Sequence, residues 1–578
     1  NRIIVPKLDD ANFAGTKKSG ECILILTEGD SAKTMAISGL SVVGRDYYGV
    51  FPLRGKVMNT KDTNAEKINK NDEINNLKKI LGLEHGKKYD DLSRLRYGSI
   101  VIMTDQDHDG SHIKGLLFNL FQSLWHSLYK TDGFLKSMLT PIVKATHTNK
   151  SVKSFYNLTD FETWLGSDEG KKNGWKIKYY KGLGTSTENE AKDYFKNMKL
   201  VTYKYDDKSD EAIDLAFNKK RADDRKDWLM KYDKNLVLDY KQTVVSFPKF
   251  VNEELIHFSN RDIERSINCI CDGLKESTRK ILFACMKRKL YKDDIKVAQL
   301  AGNVSEVTAY HHGEASLQKA IVGMAQIYVG TNNMNLLVPN GQFGSRLQNG
   351  NDASSPRYIY TMLSHLCSLI YKEEDNCILN FKVDDGQSIE PEYYIPIIPM
   401  ILVNGATGIG TGFSTSIPQF NPEDIIQKCR HIANELNENV GMIDNEKSLA
   451  KAHELIIKHQ TSSLVPWYIG FKGSVSKKEA GGYITTGKYE FIDDDNVDIS
   501  ELPIGVWTED FKNYLEELMT ANKFVKDFQS HYTAKNVRFI VKLLPNYKKE
   551  DFAKDFKMIS NISINNMHLY SENGAIKK

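Results

Sequence analysis

Between residues 21 and 165, short apolar runs alternate with segments whose apolar residues recur at helical spacing. ILIL (23–26) runs into TEGD and then the helix-like SAKTMAISGL; SIVIM (99–103) runs into TDQDHDG and then HIKGLLFNLFQSLWHSLY. Such strand-to-helix alternation predicts an α/β domain on a parallel sheet. Residues 1–20 are polar, end in AGTKKSG and read as a linker. Residues 166–242 are charged and weakly periodic, a connector whose KYYKGLGTST (178–187) returns basic groups to the first domain. From 243 to 415 the pattern is of short helices with basic turns, closed by the glycine-rich NGATGIGTGF (404–413). Residues 416–545 read as a separate α+β unit with strand-like GGYITTGKYEFI (481–492) and VRFIVKLL (537–544). The stretch from 546 to 578 shows no coherent core of its own.

Length and charge refine this picture only in part. A chain of 578 residues exceeds what one core serves, so three or more domains are expected. The formal net charge is only +3, so any nucleic-acid surface has to be local. From Lys275 to Lys296 eight basic residues stand against three acids, a density that equally suits a solvated helix face. The seven cysteines are scattered without a CxxC pair, which supports neither a zinc site nor a disulfide framework and fits a reducing compartment. No stretch is long and apolar enough to span a membrane, and there is no signal peptide. A chain that opens on Asn1 rather than Met is expected to be a fragment of something larger.

Candidate chemistry sits where the two strands end. Glu28 follows the first; Asp105, Asp107 and Asp109 follow the second. Parallel α/β sheets place their sites at this edge, and alternate residues of an extended segment point the same way. Four carboxylates so close repel one another unless a divalent cation neutralises them, and hard oxygen ligands favour Mg²⁺ or Ca²⁺. DQDHDG also opens like a calcium-binding EF-hand loop, but Leu116 stands where that loop needs a bidentate Glu. Acids at a strand end also cap the following helix, a role that suits one Asp better than three.

Glu-Gly-Asp-Ser-Ala-Lys (28–33) with the distant Asp-x-Asp-x-Asp resembles the TOPRIM domain of type II DNA topoisomerases. GRDYYGVFPLRGKVMN (44–59), MTDQDHDGSHIKGLL (103–117) and KYYKGLGTST closely resemble the eukaryotic-type enzymes, and the motifs run in the family's order from about residue 20 to the end. The resemblance implies a multidomain α/β and α+β architecture. A TOPRIM domain with a Rossmann-like parallel sheet would occupy 21–165, followed by the connector over 166–242. A winged-helix DNA-binding domain would span 243–415 and an α+β tower domain 416–545. Residues 1–20 would lead from an ATPase region, and 546–578 would begin the connection to a coiled coil. By the same resemblance, Glu28, Asp105 and Asp107 are the principal Mg²⁺ ligands and Asp109 binds a second metal or supports the first, giving one or two ions per site.

ASSPRYIYTML (353–363) resembles the family's Arg-Tyr segment, which makes Tyr358 the expected nucleophile and Arg357 its charge partner. A phenol needs help to attack at neutral pH, and a guanidinium stabilises charge on a phosphate. Tyr360 is expected to pack as an ordinary structural tyrosine. In the family, tyrosine takes the 5′ end covalently and leaves a free 3′-OH, so resealing needs no ATP. KVAQLAGNVSEVTAYHHGEASL (296–317) resembles the winged-helix segment. His311 and His312 are expected to contact phosphate; adjacent histidines do not share a helix face, and no nearby carboxylate completes a metal site. Lys275, Arg279 and Lys280, with Arg54, Lys56 and Lys181, are the further expected contacts to the backbone of double-stranded DNA. NGATGIGTGF lacks the Lys-Ser/Thr of a P-loop and fails GxGxxG spacing, so the family reading, in which Ile409 wedges between base pairs, is preferred.

The resemblance further implies an ATP-dependent, nuclear homodimer in which one protomer's tyrosine works with the other's carboxylates. No ATP site and no heptad-rich exit gate are read within these residues. Type IIB relatives place the tyrosine domain before TOPRIM, whereas Tyr358 follows Asp105. A non-catalytic DNA-bending scaffold is the second class of reading, opposed by the complete set Glu28, Asp105, Asp107, Arg357 and Tyr358.

Overall fold

In the N-terminal half, the apolar runs become the centre of a six-stranded sheet. Its order is Tyr48–Leu53, Ile23–Glu28, Ser99–Met103, Leu135–Met138, Leu200–Lys204 and Val244–Ser246. The first four strands are parallel; Leu200–Lys204 runs antiparallel to its neighbour Leu135–Met138, and Val244–Ser246 parallel to Leu200–Lys204. Leu24, Ile25, Leu26, Ile100, Val101 and Ile102 are fully buried, as a parallel sheet covered on both faces requires. Each such side chain contributes about 1.5–3 kcal/mol on burial.

The computed structural model describes residues 3–384, 386–459 and 464–578, in two units, 1–263 and 264–578. In the first unit, helix Gly29–Val43 packs its Ala32, Ala36 and Leu40 with Ile25, Val50 and Val101 of the sheet. Helix Glu188–Lys196 lies against it, and Phe195 fills the place where a Cβ on Gly39 would stand, 2.1 Å from the ring. Helix His108–Leu124 brings Phe118 against Tyr203, Phe247 and Phe250. Its Lys114 is buried with Nζ 2.5 Å from Glu254, which also accepts from Ser111 and Tyr240. A separate antiparallel sheet, Val152–Phe155, Val143–His147 and Trp175–Tyr179, carries Phe161 and Trp164.

Two expected boundaries move. Described residues of the 1–20 segment dock on the sheet rather than link: Asp9 exchanges backbone hydrogen bonds with Val50, and Asp10 accepts from Arg96 and Tyr97. Polar composition concealed this, because hydrogen bonds supplement a few scattered apolar contacts, the buried Val5, Ala11 and Ala14 and the Phe13–Tyr47 ring pair. The 166–242 connector supplies Leu200–Lys204 to the main sheet, and Val244–Ser246, expected in the next domain, completes it. Strands near a sheet's rim carry few apolar residues and give weak periodicity.

The second unit packs helices Glu276–Lys287, Val297–Thr308 and Glu314–Ala325 around Leu282, Leu300 and Ile321. A two-residue antiparallel pairing of Ile295–Lys296 with Tyr360–Thr361 fastens the segment that carries Tyr358. Farther along the chain, a four-stranded antiparallel sheet is ordered Lys488–Phe491, Asn496–Glu501, Phe539–Leu543 and Val525–Ser530. It packs with helix Thr508–Thr520 through Phe511, Leu515 and Phe539. The strand-like run 481–492 divides into Tyr483–Thr486 and Lys488–Phe491 around Gly487, where a Cβ would meet the Glu501 carbonyl at 2.5 Å. The C-terminal stretch returns to partners already formed: Ile559–Ile562 pairs with Tyr483–Thr486, and Met567 and Leu569 pack on Ile401, Ala406 and Ile417. No helix among the described residues is long and apolar enough to cross a membrane.

Candidate functional site

Strands Ile23–Glu28 and Ser99–Met103 are adjacent and parallel, and sheet order reverses direction between them, so their carboxyl ends flank the switch-point crevice. Gly29, with φ +78°, turns the chain sharply from strand into helix and leaves Glu28 at the mouth. The Asp105 amide donates to Glu28 Oε2 at 3.1 Å. The KGLGT segment crosses the same point, where the Leu183 amide donates to Asp105 Oδ1 at 2.6 Å. A Cβ on Gly182 would stand 3.0 Å from Asp105 Oδ2, so glycine permits this approach.

The electrostatics follow from this crowding. Burial, then the charge of Asp105, raises the Glu28 carboxyl to about 7, with Asp107 and Asp109 adding to the effect. Burial also raises Asp105, against the Leu183 hydrogen bond, which lowers it. Glu28 and Asp105 therefore form a pair that resists full ionisation without a cation. The other two acids differ. Asp107 caps helix His108–Leu124, its Oδ1 accepting from Gly110 N at 2.7 Å, so the cap role and the cluster coexist. Asp109 Oδ1 lies 2.6 Å from Lys56 Nζ, whose ammonium also sits 4.6 Å from the Phe258 ring centroid. Arg54 and Lys181 are exposed in the same unit.

In the second unit, Tyr358 is 69% exposed while its backbone is pinned. The Tyr358 amide donates to Ser355 O at 2.9 Å, and the amides of Val297 and Ala298 donate to the carbonyls of Ile359 and Pro356. The Arg357 guanidinium lies 5.3 Å from the Tyr358 ring centroid. Ile359 is buried between Tyr358 and Tyr360, which are both exposed. Tyr360 is 36% exposed, with Lys296 Nζ 6.0 Å from its ring centroid, and it packs less fully than expected.

The expected basic contacts divide sharply. Arg279 is buried, its Nε 2.7 Å from Asp272 Oδ2 and its Nη2 3.1 Å from Oδ1. Lys280 is buried between the Thr308 carbonyl at 2.8 Å and Glu390 Oε2 at 2.9 Å. Both cations serve the interior, contrary to the expectation of DNA contact; they lie one turn further into the helix than Lys275, on its core side. Lys275 is half-buried, with Nζ donating to Thr407 O at 2.8 Å, and burial lowers its pKa. His311 has the nearby carboxylate that sequence did not reveal, Asp384 at 3.4 Å. His312 meets the Tyr310 ring edge-on at 5.3 Å. Ile409 ends one strand of the Ala406–Ile409/Ser414–Ile417 hairpin and is 82% exposed.

Residues 23–135 match the Toprim domain family, 138–263 the C-terminal associated domain of TOPRIM, and 265–578 the family of DNA gyrase and topoisomerase IV A subunits. The chain is 48% identical over 591 residues to DNA topoisomerase 2 of Arabidopsis thaliana and 46% identical over 601 residues to DNA topoisomerase 2-alpha of Homo sapiens. The chain belongs to the DNA topoisomerase 2 family. The two alignments cover 100% and 99% of the chain but only 38% of each relative. The crystal structure of the Plasmodium falciparum topoisomerase II DNA-binding, cleavage and re-ligation domain matches with a TM-score of 0.78 and 45% identity, over 100% of this chain and 77% of that one.

The acid crevice fits a hard divalent cation by its own chemistry: oxygen donors only, with the Glu28 carboxyl raised to about 7 by burial and then by the charge of Asp105. Sequence reasoning missed the residues that hold these acids in place. Leu183 acts through its amide and Gly182 through having no side chain, roles that only backbone approach reveals. Lys114 and Glu254, 140 positions apart, anchor the helix that carries Asp107 and Asp109.

Proposed function

We propose that this chain is the DNA cleavage and religation core of an ATP-dependent type IIA topoisomerase that changes supercoiling and catenation by passing one duplex through a transient break in another. The observation that carries the reading is the contrast at Tyr358, an exposed phenol on a pinned backbone beside Arg357, in a chain that also builds the acid crevice. The Tyr358 oxygen attacks a backbone phosphorus, the bond from phosphorus to the 3′ oxygen breaks, and the 5′ end remains on the tyrosine. The phenol proton is lost and the 3′ oxygen takes one up. Reversal needs no other energy source, because the phosphodiester is exchanged rather than hydrolysed.

Arg357 stabilises charge on the reacting phosphate. Glu28, Asp105 and Asp107, with Asp109 in support, would hold one or two Mg²⁺, which when bound supply charge stabilisation at the phosphate and leaving oxygen. Asp105 is oriented by Leu183, and Lys56 holds Asp109 until a cation or phosphate competes for it. Arg54, Lys56, Lys181, Lys275, His311 and His312 position double-stranded DNA without reading sequence, and Ile409 bends it by entering the stack. The working form is a homodimer, each tyrosine acting with the partner's carboxylates, and the setting is nuclear.

The test is denaturant trapping with end-labelled duplex and Mg²⁺, read by mass spectrometry. The expected product is a 5′-phosphotyrosyl adduct at Tyr358; adduct of undiminished yield in Tyr358→Phe refutes the assignment.

A further inference from the structure

Two helices of the second unit, Pro422–Asn439 and Glu446–Lys458, pack against each other. Pro422–Asn439 begins on Asn421, whose side chain accepts from Glu423 N, with Pro422 in the first turn. Glu446–Lys458 begins on Asn445, in a capping box with Ser448. Their apolar seam is thin: Ile425 is the buried residue of the first helix and Ala452 that of the second. Lys451 Nζ donates to the Asn439 carbonyl at 2.6 Å, tying one end of the pair.

The other tie is chemical. His431 and Glu435 are four residues apart and therefore share one face of the first helix. His459, at the end of the second helix, reaches the same carboxylate. His431 Nε2 lies 3.1 Å from Glu435 Oε1, and His459 Nε2 lies 2.8 Å from Oε2. The imidazole rings stand perpendicular with centroids 5.0 Å apart, so both nitrogens converge on one carboxylate. One potential ligand atom from each residue lies within 4.8 Å of the others, an arrangement no other His, Cys, Asp or Glu group is found to share among the described residues. In a tetrahedral site with metal–ligand bonds of about 2.0–2.1 Å, ligand atoms stand about 3.3 Å apart. The two nitrogen–oxygen spacings, 3.1 and 2.8 Å, lie a few tenths of an ångström below that value, so a small outward shift of the rings admits an ion.

We propose that His431, Glu435 and His459 form a second metal site, for a borderline divalent transition ion such as Zn²⁺, that clamps these two helices together. Two imidazoles and one carboxylate are the donor set that distinguishes Zn²⁺ from Mg²⁺, which prefers oxygen alone. Side-chain exposure falls from 62% at His431 to 28% at Glu435 and 16% at His459, so the ion enters from the His431 side and water completes its fourth position. The site needs neither DNA nor the acid crevice, and it strengthens a helix pair that has little apolar burial of its own.

The test uses the full 578-residue chain with excess Mg²⁺ present, titrated with Zn²⁺ by calorimetry and with Co²⁺ by visible absorption. Expected are one equivalent of Zn²⁺ that Mg²⁺ does not displace, an intense tetrahedral Co²⁺ band, and a melting temperature that rises with Zn²⁺. His431→Ala and His459→Gln should each lose that equivalent, a weakening greater than the roughly 10–100-fold that follows loss of an outer partner. His431 is mostly exposed, so His431→Ala melts like the parent without metal and separates ligand loss from misfolding. Zn²⁺ uptake and a Co²⁺ spectrum identical in parent and both variants would overturn the proposal and leave only His–Glu ion pairs. So would complete displacement by Mg²⁺.

Discussion

The acid crevice and the Tyr358 segment solve opposite problems with the same device, a pinned backbone. Glu28 and Asp105 are half-buried, mutually repulsive and held in place by the amides of Asp105 and Leu183. Tyr358 stands in solvent with its chain fixed by bonds from Ser355 to Ile359. One site crowds acids whose charges a cation would relieve; the other stores nothing and offers reach. The crevice is accordingly the part whose behaviour should depend on pH and metal, whereas the proposed role of Tyr358 should depend on access alone.

The largest effect that separates them is expected at Tyr358, the proposed nucleophile. Tyr358→Phe removes one oxygen from an exposed ring, so adduct formation should fall by roughly 10³-fold or more while the melting temperature is unchanged. Denaturant-trapped adduct yield and calorimetry, run together, check both halves. Adduct loss accompanied by destabilisation would mean that the segment is not independently pinned.

Next comes the interior pair. Arg279→Met leaves Asp272 buried without its partner, which should cost about 3–5 kcal/mol of stability. Lys275→Met, at the cap just before the same helix, should leave the melting temperature nearly unaltered and instead weaken DNA binding and flatten the salt dependence. Equal melting temperatures for the two variants would show that the burial of Arg279 is not what the ion pair indicates.

These residues also show how much was legible in sequence. The strand ends that carry Glu28 and Asp105 were legible because apolar runs mark buried parallel strands. Tyr358, by contrast, rested on likeness to a family segment, since one tyrosine among 28 carries no periodic signal. Lys275, Arg279 and Lys280 were indistinguishable by type. Only the three-dimensional neighbours, Asp272 and Glu390, decide that two of them face inward. The docking of Asp9 and Ala11 and the return of Leu183 were invisible for a related reason: they run through backbone groups, which every residue has.

A smaller effect tests the charge stored in the crevice. Glu28 ionises only near pH 7 when folded, against an ordinary value of 4.5. The folded state thus holds the extra proton, so without metal its contribution to stability is complete below about 4.5 and is lost as pH rises through 7. Mg²⁺ must displace that proton, so its affinity should strengthen by up to about tenfold per pH unit below 7 and level off above. Glu28→Gln should bind Mg²⁺ weakly with a flat profile. Metal titrations from about pH 5.5 to 8.5, read by calorimetry, distinguish these outcomes. A parent profile as flat as that of the variant would mean that the crevice does not repel its own charge.

The smallest effect is at Ile409, the other exposed group on a fixed frame. Its side chain is 82% in solvent, so Ile409→Ala should leave stability within about 0.5 kcal/mol of the parent. Bending should fall, because a wedge that unstacks one base step offsets a cost of a few kcal/mol that a methyl group cannot. Fluorescence transfer between the ends of a short duplex reads the bend, and filter binding reads affinity. A bend that survives Ile409→Ala would move the work of deforming DNA from the hairpin tip to the surrounding cations. Retained affinity with a lost bend would show that the cations alone hold the duplex, leaving to Ile409 the same kind of task that Tyr358 has: reach from a rigid base.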